Sequence, residues 1–295
     1  MKLRYIKLCS LLVVFVILLA SCNNAEEESS GILRVGRSGL YDYESKMYVI
    51  DGNGINTLVD CEISDPYFVL PTEFVNGMKL NYVDAGSFNN RSELVELTIP
   101  DGYESISENA FDNCDNLKKV NIGKDVYMVW RVFGNCSNLI EFYVSDDNPY
   151  IYDLEGCVMS GDGSLCRSGG KMPLYGVKTI GPEAFSRIYV INEIIVPSTV
   201  REIRKSAFFE SSLSGVTIPN SVTTIEEAAF GMCRELKEIY IPESVTSMGK
   251  NIFFGNTDMI INCEAESMPD SWDDGWLDNC SVRQINWGVK RDAVE

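Results

Sequence analysis

The sequence contains no histidine among its 295 residues, and this absence removes several kinds of chemistry. Histidine is the commonest general base, a frequent metal ligand and the side chain that titrates near neutral pH. A serine or cysteine nucleophile would therefore lack its usual activating base. The sequence also has no C-x-x-C pair that could supply zinc ligands instead. We predict no catalytic residue, no metal site and no cofactor.

Positive charge is scarce, since 25 Lys and Arg face 43 Asp and Glu, for a formal charge of -18. The first 21 residues hold three of the cations and no acid, so the remainder carries -21. An acidic body repels phosphate backbones, and we expect no nucleic-acid partner. With so many acids, no single carboxylate pair indicates a glycosidase, and most are expected to keep the surface soluble.

Long apolar runs are also missing. The longest, Leu8 to Ala20, has thirteen residues and follows the basic residues Lys2, Arg4 and Lys7. A membrane span needs about 20 residues, so this run fits the core of a cleaved signal peptide better than an uncleaved anchor. We predict export, with residues 1–21 as the signal.

The stretch Leu19-Ala20-Ser21-Cys22 resembles the lipobox of bacterial lipoproteins, in which a peptidase cuts before the cysteine and lipid is attached to its sulfur. The resemblance implies lipid attachment at Cys22 and a lipid-anchored bacterial outer-membrane protein that is exposed at the cell surface. Residues 22–37 then read as a polar, acidic tether. The acids at 26–28 resemble the surface-export signal of Bacteroidetes lipoproteins, although a plain flexible tether accounts for them equally.

A repeat of 22 or 23 residues organises the rest of the chain. Phenylalanine recurs in two runs separated by a gap, and leucine and proline recur in the same phase. The phenylalanines are Phe88, Phe111 and Phe133, then Phe185, Phe208, Phe230 and Phe253. One coil of this length cannot bury its apolar side alone, whereas stacked coils can, with strands paired in parallel.

The unit Ser221–Pro242 reads as a short strand edge, a compact turn or helical corner at Ala228-Ala229-Phe230, and a second strand ended by proline. Together with Ile106…Ala110-Phe111…Cys114…Leu117…Val120…Ile122, it resembles the BspA-like leucine-rich repeat family. The resemblance implies a β-rich α/β solenoid, a right-handed stack of coils with parallel sheets, on a bacterial surface. It also implies a role in adhesion and protein interaction.

The period breaks between Tyr143 and Gly181, where two short strands around Ser160-Gly161-Asp162-Gly163 predict a hairpin. We therefore predict one domain in five segments. These are the signal at 1–21, the tether at 22–37, an N-terminal cap at 38–70, a solenoid at 71–263 with a hairpin insertion at about 145–175, and a C-terminal cap at 264–295. Trp272, Trp276 and Trp287 are expected to cover the last coil or, alternatively, to stack on a sugar or peptide.

The cysteines fall into groups. Cys114, Cys136 and Cys233 share one repeat column and are expected to be small, buried, reduced packing groups. Because an exported protein can be oxidised, Cys263 with Cys280 and Cys157 with Cys166 are candidate disulfides.

The outward positions of the longer strand form two ladders that we consider a candidate binding face. Large or charged side chains recur there, and tyrosine supplies contact area and a hydroxyl group. The candidates are Tyr143, Ile195, Thr217, Tyr240, Glu193 and Glu238. These β-favouring residues could instead serve only to stabilise exposed strands.

We therefore expect a non-enzymatic, surface-anchored lipoprotein that binds an extracellular protein or glycan. Two alternatives remain at this point. One is a secreted or periplasmic glycoside hydrolase based on carboxylates, which would need two convergent acids in a concave site. The other is a purely structural cell-surface spacer, which would show no apolar patch on either strand face.

Overall fold

The computed structural model describes residues 32–35, 39–52, 55–63, 65–127 and 131–290 as short strands joined by turns. The first ten strands are β1 (Ile32–Val35), β2 (Gly39–Asp42), β3 (Met47–Asp51), β4 (Asn56–Asp60), β5 (Tyr67–Val69), β6 (Tyr82–Val83), β7 (Glu96–Ile99), β8 (Ser105–Ile106), β9 (Lys119–Ile122) and β10 (Glu141–Val144). An insertion follows with β11 (Ile151–Leu154), β12 (Cys157–Ser160) and β13 (Ser164–Arg167). The rest are β14 (Thr179–Ile180), β15 (Glu193–Ile195), β16 (Glu202–Ile203), β17 (Gly215–Thr217), β18 (Thr224–Ile225), β19 (Glu238–Ile241), β20 (Ser247–Met248), β21 (Met259–Cys263) and β22 (Val282–Asn286).

Most coils contribute one strand to the front and one to the back, and the strands on each side pair in parallel with those of neighbouring coils. The four-residue strands β7, β9 and β10 pair in register on the front, where Thr98 lies beside Asn121 and Asn121 beside Tyr143. The two-residue strands β14, β16, β18 and β20 pair on the back. The alternating residues of β7 and β9 are buried on the inner side and partly exposed on the outer side, as a half-buried strand requires. The result is a β-solenoid of stacked parallel coils.

The phenylalanine column forms the centre of each half. Phe88, Phe111 and Phe133 stack with ring centroids 5.0 and 5.8 Å apart. The rings of the second run, Phe185, Phe208, Phe230 and Phe253, follow at 4.9, 5.3 and 6.0 Å. These spacings exceed the ~4.8 Å distance between paired strands only slightly, so each ring lies on the ring of the next coil.

The corners of the coils are turns and contain no helix. The residues two before and two after each repeat phenylalanine have positive φ, as at Asn109 and Asn113 around Phe111. Two left-handed residues so close together prevent an α-helical turn. The α component of the expected α/β solenoid was therefore wrong for the described residues, in which every named element is a strand. In that part of the chain no helix has the length and apolarity needed to cross a membrane.

The proline column is interrupted at Gly123 because two coils approach closely there. A Cβ atom on Gly123 would lie 2.7 Å from backbone atoms of Pro100 and Asp101. No side chain fits at that distance, so this coil has glycine at the position that Pro100 occupies in the preceding coil.

The insertion divides the apolar interior into two clusters. Val158 and Cys166 pack into the N-terminal cluster, whereas Cys157, Met159 and Leu165 pack into the C-terminal cluster. β12 and β13 are buried on both faces, and β13 pairs in parallel with β14. The hairpin therefore lies between two stacks of coils, and no ring contact joins Phe133 to Phe185 among the described residues.

The ends of the stack differ from its middle. Strands β1 to β4 form an antiparallel meander, and β4 then pairs in parallel with β6. At the other end Trp276 lies 23 residues after Phe253 and contacts it edge to face at 6.4 Å. Trp272 and Trp287 complete this aromatic group, and the Trp272 Nε1 donates to the carbonyl of Val245 at 2.9 Å.

Candidate binding face

The candidate face is the outer side of the front strands, and the insertion divides it into two parts. In the N-terminal part, β5, β7, β9 and β10 form one sheet, so that Val69, Thr98, Asn121 and Tyr143 lie in a row. In the C-terminal part, β15 pairs only with β17, and β19 pairs with β21. The front face is therefore divided between Tyr143 and Ile195, at the place where the sequence period breaks.

Tyr143 is half exposed and is held by its neighbours. The ammonium group of Lys119 lies 4.9 Å from its ring centroid, and its hydroxyl donates to Glu141 at 3.4 Å. Lys119 also forms an ion pair with Glu96 at 3.1 Å. Hydrogen bonds from Asn121 and Lys119 hold the pKa of the Glu96 carboxyl below its usual range. The polar neighbours thus fix the ring of Tyr143 while leaving half its surface accessible.

A shallow groove of about 330 Å³ runs beside Tyr143 at the ends of the front strands. Pro100, Asp101, Gly123 and Ser145 line it together with the side chain of Asn121. Backbone groups and one amide side chain therefore lie next to an exposed aromatic ring, a combination that suits a polar chain with an apolar side group.

In the C-terminal part, Ile195 is the most exposed of the predicted residues, at 75%. Glu193 is exposed beside it, and Thr217 on the next strand is half-buried. Glu238 is exposed and accepts a hydrogen bond from Asn262 at 2.7 Å. Ile195 and Glu193 therefore form an apolar and acidic pair at the edge of the break.

Tyr240, predicted as an exposed residue of the ladder, is only partly exposed. Its hydroxyl donates to the carbonyl of Val289 at 3.0 Å, and the residue is half-buried. The C-terminal segment after β22 therefore covers part of this ring. Tyr240 is better described as a contact between the last coils and the C-terminal segment.

The thiol column has a role that sequence reasoning missed. Each of the three thiols donates to the carbonyl of the phenylalanine in the preceding coil, Cys114 to Phe88 at 3.3 Å, Cys136 to Phe111 at 3.1 Å and Cys233 to Phe208 at 3.0 Å. Asn256 occupies the same column and donates its amide to Phe230 at 3.1 Å. The replacement of cysteine by asparagine, another donor, was the sequence signal that could have revealed this.

Neither candidate disulfide is formed in this structure, in which all eight described cysteines are free. Cys157 and Cys166 point into different apolar clusters, on opposite faces of the hairpin. A register shift between Val158 and Met159 places them there. Burial raises the pKa of Cys263 to about 12 and that of Cys280 to about 11, so neither is a reactive thiolate.

Sequence reasoning also missed two exposed residues at the start of the face. Tyr67 and Val69 lie on β5, in the same rows as Glu96 and Thr98. Both are more than half exposed. The segment precedes the first clear repeat, and only the pairing of β5 with β7 identifies it as a front strand.

The remaining predictions concern the lipid attachment site and metal binding. Cys22, the predicted lipid attachment site, lies outside the described residues, as do the signal and most of the tether. The described residues contain no cluster of three or more His, Cys, Asp or Glu placed to hold a metal ion.

The fold and the exposed strand face define a class, the leucine-rich β-solenoids with an open outer sheet. The sequence profile of the BspA type leucine rich repeat region matches residues 71–154 and 171–283, in six copies. The chain belongs to this family, as its repeat columns predicted. The stretch between the two matched ranges contains β12 and β13, so these two strands of the insertion fall outside the repeat pattern, whereas β11 lies at the end of the first matched range.

A solved structure of low sequence identity shows the same type of fold. The pneumococcal vaccine antigen PcpA superimposes with a TM-score of 0.53 at 16% identity, over 90% of this chain and 89% of that chain. A leucine-rich cell surface protein from Faecalibacterium prausnitzii A2-165 has a TM-score of 0.45 at 17% identity, over 91% and 96%. A leucine-rich repeat protein from Bacteroides ovatus ATCC 8483 has 0.45 at 19%, over 86% and 76%. A comparison with curated protein sequences gives no match.

Proposed function

We propose that this protein is a non-catalytic, lipid-anchored surface protein that binds an extracellular protein or glycan through the outer face of its front strands. The observation that carries the proposal is the exposure of large apolar side chains on that face. Tyr67, Val69, Tyr143 and Ile195 all point outward and are at least half exposed. Such residues contribute little to folding and much to binding.

The apolar exposure is concentrated around the break in the front sheet. Of the sixteen large apolar side chains that are exposed in the described residues, nine lie between 140 and 195. They are Ile140, Tyr143, Tyr150, Tyr152, Leu174, Tyr175, Tyr189, Val190 and Ile195. Concentrated apolar exposure on a soluble body marks interaction sites, which favours a binding protein over a structural spacer.

The anchoring part of the proposal rests on the sequence of the first thirty residues. Attachment of lipid to Cys22 would hold the chain to the bacterial outer membrane. The polar stretch that precedes β1 would then present the solenoid away from the bilayer; the predicted tether at 22–37 was too long, because Ile32–Val35 forms β1 and pairs with β2. The family match and the printed names of similar structures support a location at the cell surface. We interpret the N-terminal meander and the tryptophan group as caps that cover the end coils.

The hydrolase alternative receives no support from the acids at the cavity that Arg131, Arg167 and Glu183 line at the corner of the coils. Glu183 is the only carboxylate that lines it, and its carboxylate forms an ion pair with Arg131 at 2.8 Å. A glycosidase needs two carboxyl groups about 5 to 9.5 Å apart across a substrate. A site with one paired acid does not provide that arrangement.

The proposal is tested by probing arrays of extracellular matrix proteins and glycans with the purified full chain and with a Tyr143→Ala/Ile195→Ala double variant. We expect binding of the wild type to at least one arrayed ligand and loss of that signal in the double variant. Val75→Ala is the matched control, because Val75 is similarly exposed but lies outside the front strands. Equal signals from the wild type and the double variant would contradict the proposed face.

A further inference from the structure

The insertion interrupts a ladder of backbone hydrogen bonds that otherwise runs along the corners of the coils. In the coil of Phe111, the amides of Asn109, Phe111 and Asn113 donate to Arg131, Val132 and Gly134 of the next coil. The coils of Phe185, Phe208 and Phe230 repeat this pattern with all three donors. Three corner amides per coil are therefore normally satisfied by the following coil.

The coil of Phe133 is the exception. Among the residues that the structure describes, the amides of Arg131, Phe133 and Asn135 have no hydrogen-bond acceptor. The acceptors that the pattern predicts for Phe133 and Asn135 are taken by the insertion. Ser168 donates its amide to Ala184 at 2.9 Å, and Arg167 donates to the carbonyl of Ser186 at 3.1 Å. The break leaves an excess of donors on its N-terminal side.

The guanidinium group of Arg167 adds to that excess. The residue is 6% exposed and has no ion-pair partner among the described residues. It donates to Ser186 and to the carbonyl of Phe133, which together use two of its five N–H groups. Its Nε is buried and has no partner. The carboxylates of Asp112 and Glu183 stabilise its charge without a hydrogen bond to it. A buried arginine that donates only to neutral carbonyls is costly, and a directly bound anion would compensate it further.

Of these residues, Arg131, Phe133 and Arg167 line a cavity of about 300 Å³ at the corner of the break. Three arginines line it, Arg131, Arg167 and Arg187, against the single acid Glu183. Ion pairs with Glu108 and Glu210 hold Arg131 and Arg187 at distances of 3.1 and 3.0 Å. The remaining lining offers hydroxyl and amide groups next to aromatic rings, from Asn109, Ser186, Ser206, Phe133 and Phe209.

We propose that this cavity binds the carboxylate of an acidic sugar of the hexuronate type. The arginines and the free corner amides receive the carboxylate, because charge-assisted hydrogen bonds from guanidinium groups are the strongest that a neutral-pH site can offer it. The serine and asparagine side chains meet the sugar hydroxyls, and Phe209 supplies a flat apolar surface for the ring. The volume admits one monosaccharide unit and excludes a folded protein. This site is separate from the front face and does not depend on it.

The experiment is isothermal titration calorimetry of the full chain with sodium galacturonate, galactose and sodium acetate. We expect binding of galacturonate, no detectable binding of galactose, and acetate weaker than galacturonate by tenfold or more. Arg131→Gln, at the rim, should weaken galacturonate binding about tenfold or more, in line with the loss of one charge-assisted hydrogen bond. Arg283→Gln, a matched loss of charge on the exposed strand β22, should leave it unchanged.

Arg167→Met removes the buried guanidinium and should abolish binding if the variant folds. Should it fail to fold, Arg131→Gln decides alone, because Arg131 is well exposed and its loss leaves the core intact. No heat from galacturonate at 10 mM, equal binding of acetate and galacturonate, or equal weakening by Arg131→Gln and Arg283→Gln would each overturn the proposal.

Discussion

Alanine and serine substitutions can distinguish a buried cysteine that donates a hydrogen bond from one that only packs, because the two roles predict opposite orders of stability. Cys114 is fully buried, and its thiol is the only described donor to the carbonyl of Phe88. Cys263 is equally buried, but its thiol makes no hydrogen bond among the described residues. Alanine and serine at the two positions therefore have opposite consequences.

At Cys114, alanine removes the sulfur and leaves a buried carbonyl without its donor. The orphaned carbonyl costs about 1 to 3 kcal/mol, and the lost apolar volume adds about 1 kcal/mol. Serine retains a donor at the same place, so Cys114→Ser should be more stable than Cys114→Ala by about 1 kcal/mol or more.

At Cys263 the order reverses. Serine would bury a hydroxyl without a partner, at a cost of about 1 to 3 kcal/mol, whereas alanine only loses packing. Cys263→Ala should therefore be more stable than Cys263→Ser. The free energy of unfolding of all four variants is measured by guanidinium chloride denaturation under reducing conditions. If alanine is favoured over serine at both positions, the column has a packing role only, and the donor role fails.

Three further predictions concern other parts of the chain. Cys22→Ala should release the protein from the membrane fraction, as should a signal-peptidase II inhibitor, and retention under both treatments would exclude a lipid anchor. A thiol assay on the denatured mature protein without reductant should detect eight free thiols from the described residues, and a count of six would indicate a disulfide. In the native protein Cys280 should react first, because it is half-buried and the other seven are buried. Trp276→Ala should lower the free energy of unfolding by about 3 to 5 kcal/mol. Trp276→Phe places the usual residue of the column there and should lower it by about half as much. Equal losses in the two variants would show that Trp276 does not act as a member of the aromatic column.

The repeat columns could be predicted from the sequence because each position has the same environment in every coil. A phenylalanine that recurs at a fixed period in stacked coils places each ring on the ring of the next coil. The structure contains such a stack on both sides of the break. The column could even have been extended, since Trp276 follows Phe253 by the same 23 residues. Period and residue type together carry that information.

Features that depend on contacts between distant segments could not be predicted in the same way. The contact of Tyr240 with Val289 joins residues 49 positions apart, outside any period. The opposite faces of Cys157 and Cys166 depend on one register shift in the hairpin. A one-residue shift reverses the direction of every later side chain, and no pattern in the sequence marks it.

The turns at the corners show a third kind of limit. Ala228-Ala229-Phe230 has good helix formers, and local propensity alone allows a helical corner. The structure instead gives Ala228 a left-handed conformation, because its amide then reaches Lys250 in the next coil. The hydrogen bonds between coils outweigh the local cost of about 1 kcal/mol or more.

The central claim is that the outer face at the break binds a partner, and the most direct test is one dissociation constant. Ile195→Asp places a charge at the most exposed apolar position of the face while leaving the interior untouched. Burial of an isoleucine side chain in an interface is worth about 1.5 to 3 kcal/mol, so the dissociation constant for the arrayed ligand should rise at least about tenfold. The unfolding midpoint should stay the same. A dissociation constant within twofold of the wild type would contradict the account.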